Sequence, residues 1–199
     1  MADLFARDPS APLAPLAPPD EAERRALVAL SLVPGVGPGR VRALLAAFGS
    51  ARATMTASTS RLVRVNGVGR QTPEPIRAWD DAPAVDAQFQ RAEAVGARLV
   101  AVADPDYPAL LREIYDPPSH LWVLGRLTEA DALAVAVVGT RRASDYGRRV
   151  AGAFARDLAA AGVTVVSGLA YGVDIAAHRA ALDAGGRTVA VLGSGVDRI

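Results

Sequence analysis

Apolar positions change their rhythm about halfway along the chain. From Glu21 the pattern is helical: EAERRALVALSLV sets acids ahead of an apolar face, as a helix start does. RVRALLAAFGS places Val41, Leu44, Leu45 and Phe48 at i, i+3, i+4 and i+7, which predicts a second helix that Gly49 ends. Ser58 or Ser60 can cap a short helix running into LVRV, and Pro73 and Pro75 interrupt the helix expected next. Residues 84–95 predict a connecting helix stopped by Gly96. Beyond Gly96 the apolar runs shorten and become continuous. ARLVAV (97–102), HLWVLG (120–125), ALAVAVVG (132–139), VTVVSG (163–168) and RTVAVLG (187–193) predict strands, with helices over Tyr146 to Ala161 and Val173 to Asp183. Strand runs alternating with amphipathic helices predict βαβ units and a parallel sheet.

The expected organisation is therefore α/β. A proline-rich, disordered tail occupies residues 1–20, and a small all-helical domain covers 21–80. A connecting helix follows over 81–96, and a Rossmann-like, doubly wound parallel sheet over 97–199. The last region supplies only half of a doubly wound sheet, so it is expected to be the N-terminal part of a longer fold, with the uncovered parallel edge of the half-sheet as the physical reason.

Composition narrows the chemistry. The chain has 199 residues, 22 basic and 21 acidic, so it is not a generally basic protein that coats nucleic acid by bulk charge. The charge is uneven: residues 1–80 carry net +3, 81–130 net −4 and 131–199 net +2. Every basic residue is Arg, which excludes a phosphate-binding lysine of the P-loop type and a lysine Schiff base. There is no Cys, and His120 and His178 are the two histidines, which excludes thiolate and His-rich metal sites. The N-terminus has no secretory pattern, and the apolar run from Ala132 to Val138 falls far below the ~20 residues of a membrane span. A cytoplasmic protein without membrane contact is expected.

Two sets of glycine turns are candidate sites. In the helical region Pro34-Gly35-Val36-Gly37 and Asn66-Gly67-Val68-Gly69 each lie between helices, the pattern of a helix–hairpin–helix. Such turns leave amides and a helix N-terminus free for a phosphate, and Arg40 and Arg42 follow the first. Gly35, Gly37 and Arg40 thus form a second candidate DNA site, for duplex; simple helix joints or a protein-binding surface are the bland alternatives. In the α/β region Gly139-Thr140-Arg141, Ser167-Gly168-Leu169-Ala170 and Gly193-Ser194-Gly195 stand where strands end, the edge at which open parallel sheets bind ligands. Arg141 and Arg142 can grip phosphate, and Tyr146 can offer a ring to a base. A solvated arginine pair and a core-edge tyrosine are the plainer reading. No complete GxGxxG is present, since Arg198 stands where the third glycine belongs, so no dinucleotide cofactor is expected. Asp174 and His178 share one helix face, and with Ser167 they suggest a hydrolase; bracing of the helix is the stronger explanation, because the turn is not G-x-S-x-G.

Four longer stretches carry a family resemblance: DPDYPALLREIYDPPSHLWVLG (104–125), VVGTRRASDYGRR (137–149), SGLAYGVDIAAH (167–178) and GGRTVAVLGSGVD (185–197). In order and spacing they resemble the DNA-processing DprA (Smf) family of bacterial transformation, whose helical front end is a SAM-like or helix–hairpin–helix domain. The resemblance implies a competence and recombination protein that binds single-stranded DNA on an extended Rossmann domain. It protects that DNA and assists loading of RecA recombinase, without catalysis or a nucleotide cofactor. It implies a phosphate site at Gly139, Thr140 and Arg141, with Ser167 and Gly168 beside it, Gly193 to Gly195 at the pocket edge, and Tyr146 as a stacking position. Tyr171 departs from relatives that carry a basic residue there; a stacking ring in its place and no contribution at all are the two readings. The family's homodimer and RecA surfaces lie in the part of its fold that follows. A nucleotide-binding or nucleotide-hydrolysing enzyme and a protein-interaction module are the competing readings.

Overall fold

The computed structural model describes residues 18–69, 72–79 and 81–198, so most of the expected proline-rich tail lies outside the described residues. The chain divides into two compact units, Met1–Gly125 and Arg126–Ile199.

The first unit opens with α1 (Glu21–Leu32), whose N-cap Asp20 accepts the Glu23 amide at 2.7 Å. A capping acid and two acids in the first turn suit the positive end of a helix. Next come α2 (Pro38–Phe48), α3 (Ala51–Thr56), α4 (Thr59–Leu62), α5 (Pro73–Arg77) and α6 (Ala82–Ala94). Gly49 closes α2 in the left-handed region, φ 80°, as expected. The short α3 is absent from the sequence reading. Ser50 caps it, and the Glu23 carboxylate accepts the amides of Ala51 and Arg52 at its start. Pro73 begins α5 rather than interrupting a helix, because its missing N–H costs nothing in a first turn.

Two faces of α1 hold this unit together. Leu27 and Leu30 join Val33, Val36, Leu44, Leu62, Val65 and Ile76 in the helical core. Val28 turns the other way, to Val85 of α6 and to Leu99 and Ala101, where Phe89 meets Trp122 edge-on at 5.3 Å. Leu99 and Trp122 belong to β1 (Ala97–Ala101) and β2 (His120–Leu124), an antiparallel pair with Leu99 opposite Trp122. Between the two strands runs α7 (Ala109–Arg112). A bidentate pair crosses this core, Arg24 Nη1 to Asp104 Oδ2 at 2.7 Å and Nη2 to Oδ1 at 2.8 Å. Thus β1 and β2, grouped with the parallel sheet in the sequence reading, form a sheet of their own within the first unit. Neither strand supplies a ladder to the parallel one.

The second unit holds a 3-10 turn (Glu129–Ala132), β3 (Ala134–Ala136), α8 (Asp145–Ala160), β4 (Thr164–Ser167), α9 (Val173–Asp183) and β5 (Thr188–Ala190). The strands are parallel in the order β3-β4-β5, one arm of a wound sheet. Both helices pack on the face that carries Val165 and Val137, through Ala155, Ala177 and Ala181. Small residues let them approach: a Cβ on Gly152 would touch Ala180 Cβ at 3.7 Å. Arg187 clamps Asp131 with two bonds, which holds the Asp131 carboxyl below its ordinary range and ties the 3-10 turn to the start of β5.

Candidate functional site

The ladder carries on past the short strands and sets their exits side by side. Val137 N donates to Val166 O and Val191 N to Ser167 O, each at 2.9 Å. The turns over 139–142, 168–172 and 193–195 therefore follow one another along the C-terminal edge of the sheet. Parallel sheets present ligands at this edge, because strands end and helices begin there.

The first turn is pressed onto the start of α9. A Cβ on Gly139 would stand 2.6 Å from Val173 Cγ2, so only glycine fits. Gly172, at φ 89°, is equally constrained: a Cβ would overlap the Thr140 carbonyl and come within 2.7 Å of Arg141 O. Thr140 O in turn accepts the Val173 amide at 3.3 Å. Gly172 is missing from the sequence-based site; its signal is a glycine standing directly before the first residue of a helix. Thr140 Oγ1 accepts the Arg142 amide at 3.2 Å, which shapes the turn. Beyond it the side chains of Arg141 and Arg142 are exposed and meet no partner among the described residues. Ser144 caps α8 by accepting the Gly147 amide at 3.1 Å, and Tyr146, second in that helix, is 70% exposed. Tyr146 is thus a surface ring and not a core-edge one. Arg148, by contrast, is spent on the Ala143 carbonyl and on Asp145.

The second turn is built differently from expectation. The Ser167 hydroxyl is buried and donates to Val137 O at 2.6 Å, so it staples β4 to β3. Leu169 takes φ 58°, a left-handed conformation uncommon for a branched side chain. That twist turns the amides of Gly168 and Ala170 toward one oxygen, Asp174 Oδ2, at 3.2 and 3.4 Å. Amides on either side of a left-handed residue, arranged this way, form an anion-binding nest. Here the chain's own carboxylate fills it, so the Gly168 amide is taken. Asp174 is 6% exposed, and its second oxygen, Oδ1, has no hydrogen-bond partner among the described residues. One turn along α9, His178 Nδ1 lies 2.7 Å from Thr188 Oγ1. Thr188 gives its hydroxyl hydrogen to Val165 O at 2.7 Å, so Nδ1–H is the donor to Thr188. Burial pushes the imidazole pKa down, against the pull of Asp174. The Ser167 hydroxyl and His178 Nδ1 therefore bond Val137 O and Thr188 Oγ1 and not each other, and Asp174 braces a turn. Tyr171, between the nest and Gly172, is 78% exposed.

The third turn is open at Gly193 and closed at Gly195, where a Cβ would overlap the Asp197 carboxylate. Gly193, Ser194 and Gly195 are exposed, and nothing lies within 4 Å of a Cβ position on Gly193. Ser194 Oγ donates to Arg198 O at 3.3 Å and Arg198 N to Gly195 O at 3.0 Å, which curls the chain back after β5.

In the first unit the two hairpins are copies in geometry. Gly35 and Gly67 both stand at φ 79°, and Val36 N→Val33 O and Val68 N→Val65 O are both 3.0 Å. All four valines are buried, so each hairpin is pinned by the core it helps to form. Gly37 is the exposed N-cap of α2. Arg40, expected to face a ligand, instead donates to Gly35 O and, at 3.2 Å, to Gly67 O. It laces the two hairpins together. The α2 end also has an acidic neighbour that the sequence does not betray: both Asp116 carboxylate oxygens lie 3.5 Å from a Cβ position on Gly39. Arg42 bonds Tyr115 O beside it, with its guanidinium 5.8 Å from the Tyr115 ring centre.

Comparison with known proteins adds an independent line. The family model for DNA recombination-mediator protein A matches residues 98–199, and that for a SAM-like helix-hairpin-helix tandem matches residues 27–76. Protein Smf of Synechocystis is 36% identical over 176 residues, covering 86% of this chain and 44% of the relative. A putative DNA processing protein DprA of Mycobacterium tuberculosis is 48% identical over 115 residues, covering 51% and 30%. The X-ray structure of DNA processing protein A (DprA) from Streptococcus pneumoniae superposes with a TM-score of 0.71 at 27% identity, over 88% of this chain and 59% of that one. The chain spans less than half the length of these curated relatives.

Proposed function

The chain belongs to the DNA recombination-mediator protein A family, and from that membership we propose that it binds single-stranded DNA along the C-terminal edge of its parallel strands. The observation that carries this reading is the set of exposed, unengaged groups at that edge: Arg141, Arg142, Tyr146 and Tyr171. Guanidinium groups hold phosphates, and rings take base faces that a duplex keeps stacked. Phosphates carry no sequence information and every base has a face, so binding is sequence-tolerant. Because the Gly168 amide and the Ser167 hydroxyl are engaged internally, side chains of the 139–142 turn supply the phosphate contacts. The open side of the third turn, at Gly193, gives the backbone room.

In this reading the protein is a binding protein of natural transformation and recombination that works in the cytoplasm. It shields incoming single strands and assists RecA loading, with RecA and a second copy of itself as partners. None of these roles needs a catalytic group or cofactor. No helix of the described residues is long and apolar enough to cross a membrane. The matched hairpins favour a second, weaker role in duplex contact through the amides at Gly35 and Gly37, with Arg40 holding the hairpins in register.

The test is anisotropy of a labelled oligothymidylate and of a duplex of equal length over a salt series. Single-strand preference, with log K falling linearly in log salt, supports the reading. Tighter duplex binding would move the main site to the hairpins, and salt-independent or absent binding of both would overturn it.

A further inference from the structure

We infer that Asp174 is a positioning residue for nucleic-acid binding: its buried carboxylate presets the 168–172 turn so that Tyr171 is held ready as a stacking ring. The inference rests on the strand-edge reading above and adds to it the element that fixes the backbone bearing the ring.

Four observations converge on this turn. Leu169 sits at φ 58°, a conformation that a free leucine rarely visits, so something must hold it there. The holder is Asp174 Oδ2, which takes the amides on both sides of Leu169, at 3.2 and 3.4 Å. A Cβ on Gly168 would stand 3.0 Å from that same oxygen, so the carboxylate lies close under the turn. Finally, Gly172 presses the far end of the turn against the Thr140 and Arg141 peptides. The backbone that carries Tyr171 is thus fixed from both sides, by the nest before it and the glycine contact after it, while its ring stays 78% exposed.

Burying a carboxylate is costly, and Asp174 does so with Oδ1 left without a partner among the described residues. Capping α9 alone would not need this, since an exposed serine or aspartate caps a helix at the surface. What the buried carboxylate adds is the paired acceptance of two amides, which fixes the turn rather than the helix. A ring already in place loses little freedom on stacking, and preorganisation of this kind raises affinity without a new contact.

The experiment compares the unmodified chain with Tyr171→Ala, Asp174→Ala, Asp174→Asn and the Tyr171→Ala/Asp174→Ala double variant, by anisotropy of a labelled oligothymidylate. Thermal melts accompany each titration. Tyr171→Ala is expected to weaken binding about tenfold, the loss of one stacked base. Asp174→Ala should weaken it to a similar degree, and the double variant no further than the worse single one, because both changes remove the same ring from the site. Asp174→Asn keeps an oxygen for the two amides and should bind within about twofold of the unmodified chain. If Asp174→Ala does not fold, Asp174→Ser takes its place: it keeps a polar helix start but is too short to span both amides.

Losses that multiply in the double variant, an Asp174→Asn variant as weak as Asp174→Ala, or an Asp174→Ala variant that binds like the unmodified chain would each overturn the inference. So would an unaffected Tyr171→Ala, which leaves the strand-edge reading standing. Absence of binding by the unmodified chain overturns both.

Discussion

The hairpin pair of the first unit and the strand edge of the second are both assembled from glycine turns and arginines, yet they spend their charges in opposite ways. At the hairpins Arg40 is bonded to the carbonyls of Gly35 and Gly67, Arg42 to the Tyr115 carbonyl, and the Asp116 carboxylate lies by the start of α2. At the strand edge the internal charges are acids, with Asp174 filling the nest, while Arg141 and Arg142 face solvent without partners among the described residues. The difference teaches that a glycine turn beside an arginine is not by itself a phosphate site. What decides is whether the turn's own carbonyls and amides already consume the charge.

The largest expected effect tests the backbone of the strand edge. Gly172→Ala forces a side chain into the Thr140 carbonyl at a left-handed φ of 89°, so it should destabilise the second unit by about 2–4 kcal/mol. A thermal melt within a degree or two of the unmodified chain would show that the 140–141 peptide is free to move.

The next separates the two sets of arginines. Arg141→Ala should weaken single-strand binding about tenfold and leave the melting temperature unchanged, because its side chain is exposed and has no polar partner among the described residues. Arg40→Ala should do the reverse: about 1 kcal/mol of stability lost from the first unit, with single-strand affinity intact, as its guanidinium serves two backbone carbonyls. Exchange of these outcomes between the two variants would invert the comparison. Tyr146→Ala, expected to cost about 1 kcal/mol of single-strand affinity, checks whether the exposed ring of α8 stacks at all.

A separate effect, on stability and not on binding, concerns pH. Burial pushes His120 in the first unit down to about 4 and lowers His178 in the second. A histidine held neutral in the fold leaves the unfolded chain binding the extra proton, so stability falls as pH falls. The loss from His120 should begin near its ordinary 6.5 and level off below about 4. Denaturant unfolding across that window should show this slope, and His120→Gln should flatten it. A rising stability on acidification would contradict the burial.

The local elements were readable where one force dominates. The apolar face with Val41, Leu44 and Leu45 is the buried face of α2, and Val173–Asp183 is helical over the predicted range, because periodicity reports burial directly. The hairpin signatures at Gly35 and Gly67 carry through to identical φ values, since a positive φ admits few residues other than glycine. Pairing was not readable in the same way. The β1 run looks like a parallel-sheet strand because it is buried, but its neighbour is β2, and the Arg24–Asp104 link that fixes that arrangement spans residues far apart in sequence. In the candidate site, spacing points to Arg141, Arg142 and Tyr146, the family resemblance points to Tyr171, and all four stand at the surface. Hidden from the sequence were the occupant of the nest and the bonds of Arg40. Both depend on where a side chain lands after folding, and residue type alone does not say whether Asp174 faces water or the amides of Gly168 and Ala170.

The account's central claim is that unengaged arginines at the strand edge hold single-stranded DNA. The most direct measurement is the salt dependence of oligothymidylate binding by the Arg141→Ala/Arg142→Ala double variant beside the unmodified chain. Removing two phosphate contacts should reduce the slope of log K against log salt by about 1.4, with the melting temperature unchanged. An unchanged slope and affinity would contradict the claim and take the site away from this edge.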